Sequence, residues 1–542
     1  MNDMTLSQES VLSKIGIDPS SVKFINPIRK RAHRRAAVNW LTKYHPPQAA
    51  SNLQKVHGYL EAFHHLSVVE AWKESSEIIL LQIDTPTQEE LHKQLHTWGY
   101  YHQQIELYKN LLGKLNYKWD VICLSGIGNA YDALGDDRKA VDYHRRHLQL
   151  ARDNGDRREE AIALCNLGLE YPFPGEVILT AFDIERTDIK SISRRWKRTQ
   201  YIAIFNWLTK YKYSPDSINS LEIVRGVLES FYHFCELEAW EEAIKIVTIR
   251  LKFTVNEELH NHLYIWGYYR ELIELYSRIL GKLNPKWDAI CLAGIGRAYN
   301  ALGNFRGAID RLDQSLDISK HLGARRSEGI ALSQLGTSYR SLRDSFTAID
   351  YYQQSFTIAK ELGDRVSEGV RLGELGITYS FLEKRNKAIE YLQRSLWITQ
   401  EASSKVGQLV PLYGLSVFQL QQGIYDKAIE YSQQQLNIAR EINCVHSEGN
   451  ALFSLGEARN GINQNSEALD NYQQALEIFR KIGAMENEAQ VVSKLAKINH
   501  ELGNRILAVE YCDRALSIAI QLNIPLEKEC RELKQQLESS YE

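Results

Sequence analysis

The chain has 542 residues, of which 44% are hydrophobic and 25% are charged, as in ordinary folded proteins. This length exceeds the size at which a single compact core stops growing, so we expect several domains or a repeat array. A net charge of −3 excludes a global electrostatic attraction to nucleic acid or to acidic lipid.

The N-terminal segment, residues 1–24, is polar and lacks the basic and then apolar layout of a signal peptide. No apolar stretch approaches the roughly 20 residues that span a bilayer. The seven cysteines form no CxxC pair and are scattered, which is typical of a reducing compartment. We therefore expect a cytoplasmic protein without a membrane span.

A basic run opens each of two related segments of the chain. Clustered cations can bind phosphate backbones or anionic membranes, but such a run is more often the solvated face of a helix. We therefore do not expect a nucleic-acid partner. The residues of this basic patch are Arg29, Lys30, Arg31, Arg34 and Arg35 in the first segment and Arg194, Arg195, Lys197 and Arg198 in the second.

These two segments are tandem copies of each other. NWLTKY at 39–44 returns at 206–211, and GKLNYKWDVICLSGIGNAYDALG from Gly113 returns as GKLNPKWDAICLAGIGRAYNALG from Gly281. We expect one module at 25–171 and a second at 190–339. Pro172-Phe-Pro-Gly175 interrupts the helical pattern, because proline removes a helical donor and restrains its predecessor. We place a joint at 172–189.

After the second copy, residues 340–523 carry a regular 40-residue repeat, and residues 524–542 are expected to form a capping helix. A small residue recurs at Ala308, Ala348, Ala388, Ala428, Ala468 and Ala508. A second series, suited to left-handed helix ends, recurs at Gly323, Gly363, Ser403, Asn443, Gly483 and Asn523. Apolar side chains between them follow i, i+3, i+4 spacing, so each repeat is predicted to be a helical hairpin, without strands.

One repeat shows a particular set of small and large residues: Gly336, Tyr339, Ala348, Tyr352 and Ser355. The small residues let two helices approach closely, and the large ones fill the groove between them. This set resembles the tetratricopeptide repeat (TPR) family. It is most similar to the 40-residue subtype found in Pins-type adaptors and in TPR sensor regions of bacterial signalling ATPases. The resemblance implies an all-α fold, a right-handed α-solenoid of stacked antiparallel helix pairs.

In this family the partner usually lies on the concave face, which the first helix of each repeat lines. The alternative is a merely solvated helix face. The paired Lys and Asn positions of the clamp that binds chaperone tails are not found. Carried over position by position, the resemblance implies partner-binding residues at Asn129, Asp132, Arg297, Asn300, Gln334, Arg340, Glu374, Tyr413, Asn460 and His500.

A metal site and a catalytic site are both disfavoured. His92 and His96 have the i, i+4 spacing of zinc ligands, but the second copy has His260, His262 and Tyr264 and loses that spacing. Gly126-Ile-Gly128 lies inside a helix and not after a strand, which disfavours a nucleotide loop. The sequence therefore predicts no cofactor, no metal and no enzymatic activity.

The sequence favours an interaction scaffold or adaptor that binds a protein or peptide in a concave groove, in signalling or complex assembly. The alternative is a ligand- or peptide-sensing switch that closes about the joint, because solenoid repeats contact only their neighbours. Nucleic-acid or lipid binding through the basic helices is a weaker alternative. The oligomeric state is not predicted.

Overall fold

The structure is a computed structural model that describes residues 8–47, 49–170, 174–212 and 220–539. Over these residues the chain is predominantly helical, which confirms the expected all-α solenoid. It divides into two compact units. Unit 1 comprises residues up to Leu167 and the segment Ser319–Arg326, and unit 2 comprises Gly168–Ile318 and residues from Ser327 onward. None of the helices in the described ranges combines the length and apolar content that crossing a bilayer requires.

Unit 1 contains the first copy of the duplicated segment. A short 3₁₀ helix at Ser21–Phe24 precedes its second α-helix. The helices are α1 (Gln8–Ile15), α2 (Ile28–Lys43), α3 (Asn52–Val68), α4 (Trp72–Ile79), α5 (Leu91–Thr97), α6 (Tyr101–Leu111), α7 (Tyr117–Ala133), α8 (Asp137–Asp153) and α9 (Arg157–Leu167).

Unit 2 begins with a short strand at the end of the predicted first module, followed by two short helices that lie in or overlap the predicted joint at 172–189. Pro172 and Phe173 of this joint lie outside the described residues. The second copy follows. These elements are β1 (Leu169–Glu170), α10 (Gly175–Ala181), α11 (Arg186–Ser191), α12 (Arg195–Lys210), α13 (Ser220–Glu236), α14 (Trp240–Val247), β2 (Arg250–Lys252), β3 (Asn256–Glu258), α15 (Leu259–Ile265), α16 (Tyr269–Ile279), α17 (Pro285–Leu302), α18 (Phe305–Leu322) and α19 (Arg325–Ser341).

The regular array, a series of antiparallel helices that ends in a terminal helix, completes unit 2. Its helices are α20 (Ser345–Leu362), α21 (Arg365–Phe381), α22 (Arg385–Glu401), α23 (Lys405–Gln421), α24 (Tyr425–Glu441), α25 (Val445–Gly461), α26 (Asn465–Ile482), α27 (Met485–Glu501), α28 (Arg505–Leu522) and α29 (Leu526–Ser539). The first helices of the repeats are therefore α17, α19, α21, α23, α25 and α27.

The 40-residue series predicts the helix ends correctly. Each second helix is followed by a residue with positive φ, and Gly, Asn and Ser are the residues found there. Their φ values are 65° at Gly323, 72° at Gly363, 53° at Ser403, 55° at Asn443, 71° at Gly483 and 51° at Asn523. The local backbone requirement was therefore readable from the sequence alone.

The small and large positions also pack as expected. A Cβ on Gly336 would lie 2.8 Å from the ring of Tyr352, closer than real Cβ contacts allow. Ala348 and Tyr352 are both fully buried. The first and second helices of this repeat therefore approach as closely as a glycine permits.

The expectation that strands are absent is wrong. A three-stranded sheet in unit 2 pairs β1 parallel to β2 and β2 antiparallel to β3, with Leu251 opposite both Leu169 and Glu257. Ile249 and Leu251 are buried while Arg250 and Lys252 are more exposed, which is the period-two pattern of a strand. The pattern is too short to stand out beside the strong helical periodicity.

The repeats of unit 2 return on themselves. Phe305, after α17, is buried in one cluster with Ala519 of α28 and Ile524. A Cβ on Gly303 would lie 3.4 Å from Leu522, and one on Gly483 would lie 3.2 Å from Leu302. The end of the second copy thus contacts the end of the array.

Candidate partner-binding groove

Six side chains from the first helices of unit 2 influence one another although they come from different repeats. We call them the inner cluster: Arg297 on α17, Arg340 on α19, Arg371 and Glu374 on α21, Tyr413 on α23, and Glu486 on α27. Four of the six were predicted from the sequence. They converge because the repeats curve, which brings side chains of the first helices towards each other.

The centre of the inner cluster is an ion pair between neighbouring repeats. Arg340 Nη2 lies 3.1 Å from Glu374 Oε2, and the exposed fractions of the two side chains are 18% and 14%. The hydroxyl of Tyr352 donates to the same carboxylate at 3.3 Å. Burial alone would lower the pKa of Arg340, but Tyr352, Glu374 and Tyr413 raise it above its ordinary value. Arg340 is therefore charged and fixed in place.

Arg297 lies flat on an aromatic ring. Its Cζ is 3.5 Å from the centre of the Tyr264 ring, on the helix α15 of the preceding hairpin. Within the described residues Arg297 forms no ion pair and no hydrogen bond. Stacking on an aromatic face orients a guanidinium and leaves its N–H edge available, which lysine cannot imitate.

Arg371 is a partly buried cation whose charge is not neutralised by a direct contact. Burial lowers its pKa, and the positive charge of Arg297 lowers it further, while Glu374, Tyr352 and Asp364 raise it. It makes no ion pair or hydrogen bond to any described residue. A cation in this position attracts an anionic ligand, because removing charge from water without a partner is costly.

Glu486 brings a carboxylate from four repeats further along the chain. Burial raises the pKa of Glu486 to about 7, although Arg340, Arg343 and Ser341 lower it. The phenol of Tyr413 is also affected by these charges: burial raises its pKa, Arg340 lowers it, and Glu486 and Glu374 raise it. The inner cluster therefore holds a carboxyl group that changes charge near neutral pH.

Asn300 and Gln334 serve to join two repeats. Asn300 Nδ2 donates to the backbone carbonyl of Gln334 at 2.9 Å, and the Ser338 hydroxyl donates to Asn300 Oδ1 at 2.6 Å. Asn300 is 9% exposed. Its amide is thus engaged within the chain, while Gln334 is half-buried beside it. Asn460 and His500, at the ends of α25 and α27, are half-buried.

The two predicted residues of the first copy lie in unit 1. Asn129 is exposed on α7. Asp132 accepts a hydrogen bond from the buried His144 Nε2 at 3.1 Å. Asp132 is therefore directed towards its own repeat. That these residues bind a partner stays a prediction.

The cations of the two basic helices, α2 and α12, differ in their contacts and in their exposure. In α2, Arg34 pairs with Glu74 at 2.7 Å, and Arg31 donates to the Ile25 carbonyl and to Asn26 Oδ1 at 3.0 Å each. The remaining cations are exposed or half-buried: Arg29, Lys30 and Arg35 on α2, and Arg194, Arg195, Lys197 and Arg198 at or in the first turn of α12. Arg31 and Arg34 thus form contacts within the chain. That the other residues of the basic patch bind a partner stays a prediction.

His92 is held by partners within the first copy. Its Nδ1 lies 2.6 Å from the Tyr108 hydroxyl and its Nε2 lies 2.8 Å from Glu90 Oε2, and burial lowers the pKa of this imidazole. His96 Nδ1 lies 3.1 Å from Gln104 Oε1. No group of three potential metal ligands comes together within the described ranges.

Sequence reasoning missed Tyr264, Arg371 and Glu486. Arg371 carried a signal, because it interrupts a position that the other repeats fill with small or apolar residues. Tyr264 also carried one, since it replaces His96 of the first copy. Glu486 carried none, because only the closure of the array brings it to Arg340.

Comparison with known proteins supports the fold. The tetratricopeptide repeat family matches residues 327–401 and 408–481, and a second tetratricopeptide repeat description matches residues 123–158. No curated protein matches the chain. The 40-residue subtype stays a prediction.

Solved structures of helical-repeat proteins are similar to this chain, with low identity. A Rap protein in complex with competence and sporulation factor is 12% identical, covers 69% of this chain and 99% of its own, and has a TM-score of 0.45. The Cut9–Hcn1 hetero-tetramer of APC/C is 15% identical over 99% of both chains, with a TM-score of 0.39. NprR in complex with its cognate peptide NprX is 14% identical over 59% of this chain and 84% of its own, with a TM-score of 0.38. At these values the structural likeness carries no argument about function.

The matched repeats coincide with helices α7–α8 and α19–α26. The chain contains tetratricopeptide repeats at residues 123–158, 327–401 and 408–481.

Proposed function

We propose that the chain is an interaction protein that binds a peptide, or an extended segment of a partner protein, on the inner face of unit 2. The observation that carries this proposal is the inner cluster, in which charged side chains from successive first helices face one another. Arg297 and Arg371 have no ion-pair partner among the described residues. In this proposal the chain acts as an adaptor in the cytoplasm and has no catalytic activity of its own.

The chemistry of the inner cluster suits a polypeptide. An extended peptide offers backbone carbonyls and amides at regular spacing, together with its own charged groups. Arginine donates several hydrogen bonds in a fixed geometry, and Tyr413 adds an aromatic surface with a polar end. These groups lie on helices, which hold them more rigidly than loops would.

A second candidate is a sensing switch, in which the partner changes the curvature of unit 2. The observation that favours it is the contact between the second copy and the end of the array, at Phe305, Ala519 and Ile524. A solenoid flexes through many small rotations, so a contact that closes the turn can be stabilised or broken by a ligand. Under this candidate, Phe305→Ala loosens the array without touching the inner cluster.

The adaptor proposal is tested by capture of partners from a lysate of the cells that express the chain. We expect Arg297→Glu and Arg371→Glu to lose the captured proteins, because the substitutions reverse the charges that face the ligand. Arg385→Glu is the matched control, since Arg385 is exposed on α22 and forms no ion pair with described residues. Identical capture by all three variants would refute the proposed site.

Small-angle scattering separates the two candidates. The adaptor alone predicts an unchanged radius of gyration when a captured partner peptide is added. The switch predicts a change in the wild type that is reduced in Phe305→Ala. Peptide binding without any change in scattering would rule out the switch and leave the adaptor standing.

A further inference from the structure

The N-terminal end of α2 in unit 1 is exposed and carries large apolar side chains beside cations. Phe24 and Ile28 are each 76% exposed. Ala32 and Arg35, at i+4 and i+7 from Ile28, continue the exposed side of the helix. The two large apolar side chains contribute little to the core of unit 1, because most of their surface faces water. We call this group the α2 surface: Lys23, Phe24, Ile28, Arg29, Lys30 and Arg35.

The sequence around the α2 surface contains no acidic residue. Residues 19–60 hold eight Lys and Arg and no Asp or Glu, whereas the whole chain has a net charge of −3. Asp18, the nearest acid before this stretch, accepts from the backbone N–H and the hydroxyl of Ser20 at 2.9 and 2.8 Å. Arg34 pairs with Glu74, but the cations of the α2 surface form no ion pair with any residue that the structure describes. The α2 surface therefore has a local excess of positive charge.

The position of these cations is unfavourable for the helix itself. The first turn of α2 contains Arg29, Lys30 and Arg31 and no acid. The positive end of the helix dipole lies at this turn and favours acidic side chains there. The stability of α2 therefore does not explain the cations, whereas a ligand with negative charge would be attracted both by the cations and by the helix end.

The second copy repeats the combination at the start of α12 in unit 2. Trp196 and Ile202 stand at the positions of Arg29 and Arg35, and they are 50% and 46% exposed. The first turn of α12 again has no acid, and residues 189–215 hold seven Lys and Arg without an Asp or Glu. Individual positions differ between the copies, but both copies have exposed apolar side chains among cations. The α12 surface consists of Arg194, Arg195, Trp196 and Ile202.

This combination fits the surface of an anionic membrane. Cations attract acidic headgroups, and apolar side chains between them enter the boundary between the headgroups and the acyl chains. A nucleic acid would contact the cations but would leave the aliphatic side chains of Ile28 and Ile202 in water. A second copy of this chain would present the same positive charge and would be repelled.

We infer that the α2 surface binds the surface of an anionic membrane, with Phe24 and Ile28 inserted below the headgroups and the cations at the lipid phosphates. The α12 surface is a second and weaker contact, because its apolar side chains are less exposed. The contact is peripheral, since two side chains enter the lipid. This inference goes beyond the proposed function, because it involves neither the inner cluster nor a peptide.

The test is sedimentation of the purified full chain with vesicles of phosphatidylcholine, either alone or mixed with about one third phosphatidylglycerol. We expect binding to the anionic vesicles only. The triple variant Arg29→Gln/Lys30→Gln/Arg35→Gln should lower the partition constant about tenfold or more, because each cation near an acidic surface contributes about a fivefold factor.

The apolar side chains are tested separately from the charge. Phe24→Ser/Ile28→Ser should also lower the partition constant about tenfold, although it leaves every cation in place. Trp196→Ser/Ile202→Ser should cause a smaller loss. Raising the salt concentration should weaken binding of the wild type, because salt screens the attraction between the cations and the headgroups.

The matched controls change exposed residues outside both surfaces. Lys384→Gln/Arg385→Gln/Lys387→Gln removes the same number of charges at the start of α22. Phe346→Ser/Ile506→Ser removes apolar side chains that are 73% and 83% exposed. Neither control should change vesicle binding. The melting temperature of every variant should stay close to that of the wild type, which shows that the fold is intact.

Several results would overturn the inference. Absence of vesicle binding, or equal binding to neutral and anionic vesicles, would exclude an anionic membrane as the ligand. Unchanged binding of Phe24→Ser/Ile28→Ser would exclude insertion of these side chains. Tighter binding to a DNA duplex than to the vesicles, lost in the charge variant and kept in the apolar variant, would assign the α2 surface to nucleic acid. Each of these results leaves the proposed function of the inner face intact.

Discussion

The two copies of the duplicated segment share their local structure and differ in what their polar residues connect. In both, a buried tyrosine contacts a histidine at 2.6 Å, Tyr108 with His92 and Tyr276 with His260. In both, an asparagine caps the next helix. The scaffold of the duplicated segment is thus retained.

The two copies differ near the end of the helix that the asparagine caps, which is α7 in the first copy and α17 in the second. Asp132 of the first copy accepts from His144, within its own repeat. In the second copy Leu312 stands at the position of His144, and Asn300, the counterpart of Asp132, bonds to Gln334 and Ser338 of the next repeat. The second copy has asparagine and leucine in place of Asp132 and His144. A hydrogen bond within one repeat is therefore replaced by hydrogen bonds between two repeats. The comparison teaches that the scaffold is fixed by packing residues, while polar residues decide how repeats are joined.

The largest expected effect tests whether the two scaffolds are equivalent. A Cβ on Gly126 would lie 2.3 Å from the ring of Tyr108, and one on Gly294 would lie 2.1 Å from the ring of Tyr276. Each alanine substitution should therefore displace the tyrosine from its histidine and lower the free energy of unfolding by about 2–3 kcal/mol. Urea denaturation measures both variants. Destabilisation of only one copy would contradict the equivalence.

The second prediction concerns the pH dependence of stability in the array, which follows the second copy and has no equivalent after the first. The pKa of Glu486 is about 7 in the folded chain against an ordinary value of 4.5. Ionising this group therefore opposes folding: its contribution to stability is fully present below pH 4.5, falls as the pH rises from there to about 7, and is absent above that. We expect this contribution to amount to about 3 kcal/mol across the window.

Glu486→Gln should remove this part of the pH dependence, because an amide does not titrate. The measurement is the difference in unfolding free energy between the wild type and Glu486→Gln at several pH values. A difference that does not change between pH 5 and pH 8 would show that the array does not hold this carboxyl group against Arg340 and Arg343.

The third prediction distinguishes the Asp132–His144 hydrogen bond, within one repeat, from the Asn300–Ser338 hydrogen bond, between two repeats. Asn300→Ala and Asp132→Ala should each cost about 1–2 kcal/mol, because each leaves a buried hydrogen-bonding group without its partner. Double-mutant cycles should show coupling of Asn300 with Ser338, across repeats, and of Asp132 with His144, within one repeat. If the two substitutions of either cycle had additive effects on the free energy of unfolding, the proposed difference between the two copies would be wrong.

The smallest expected effect is again shared by both copies. The side chains of Asn116 and Asn284 accept from the backbone N–H of Trp119 and Trp287 at 3.3 and 3.2 Å. Replacement of either by alanine should cost about 1 kcal/mol, the usual value of a helix N-cap. Thermal unfolding of the two single variants measures this, and clearly unequal losses would show that the caps are not equivalent.

Elements that depend on neighbours in the chain were predictable. The left-handed helix ends at Gly363 and Asn443 follow from one residue each, because few residue types tolerate positive φ. The sheet was not, since β2 is three residues long and its partner β1 lies about eighty residues earlier. Strand pairing between distant segments leaves only a weak trace in a single sequence.

The sequence by itself determined the helical hairpin, its 40-residue period and the helix ends, because these follow from local sterics and from spacing along a helix. Four residues of the inner cluster were named beforehand only through the resemblance to the tetratricopeptide repeat family. Only the tertiary structure decided that Arg371 and Glu486 join them. Which side chains meet across an array depends on the summed rotation of several repeats. Small angles at each interface therefore place Glu486 beside Arg340, although no pattern within a single repeat relates the two residues.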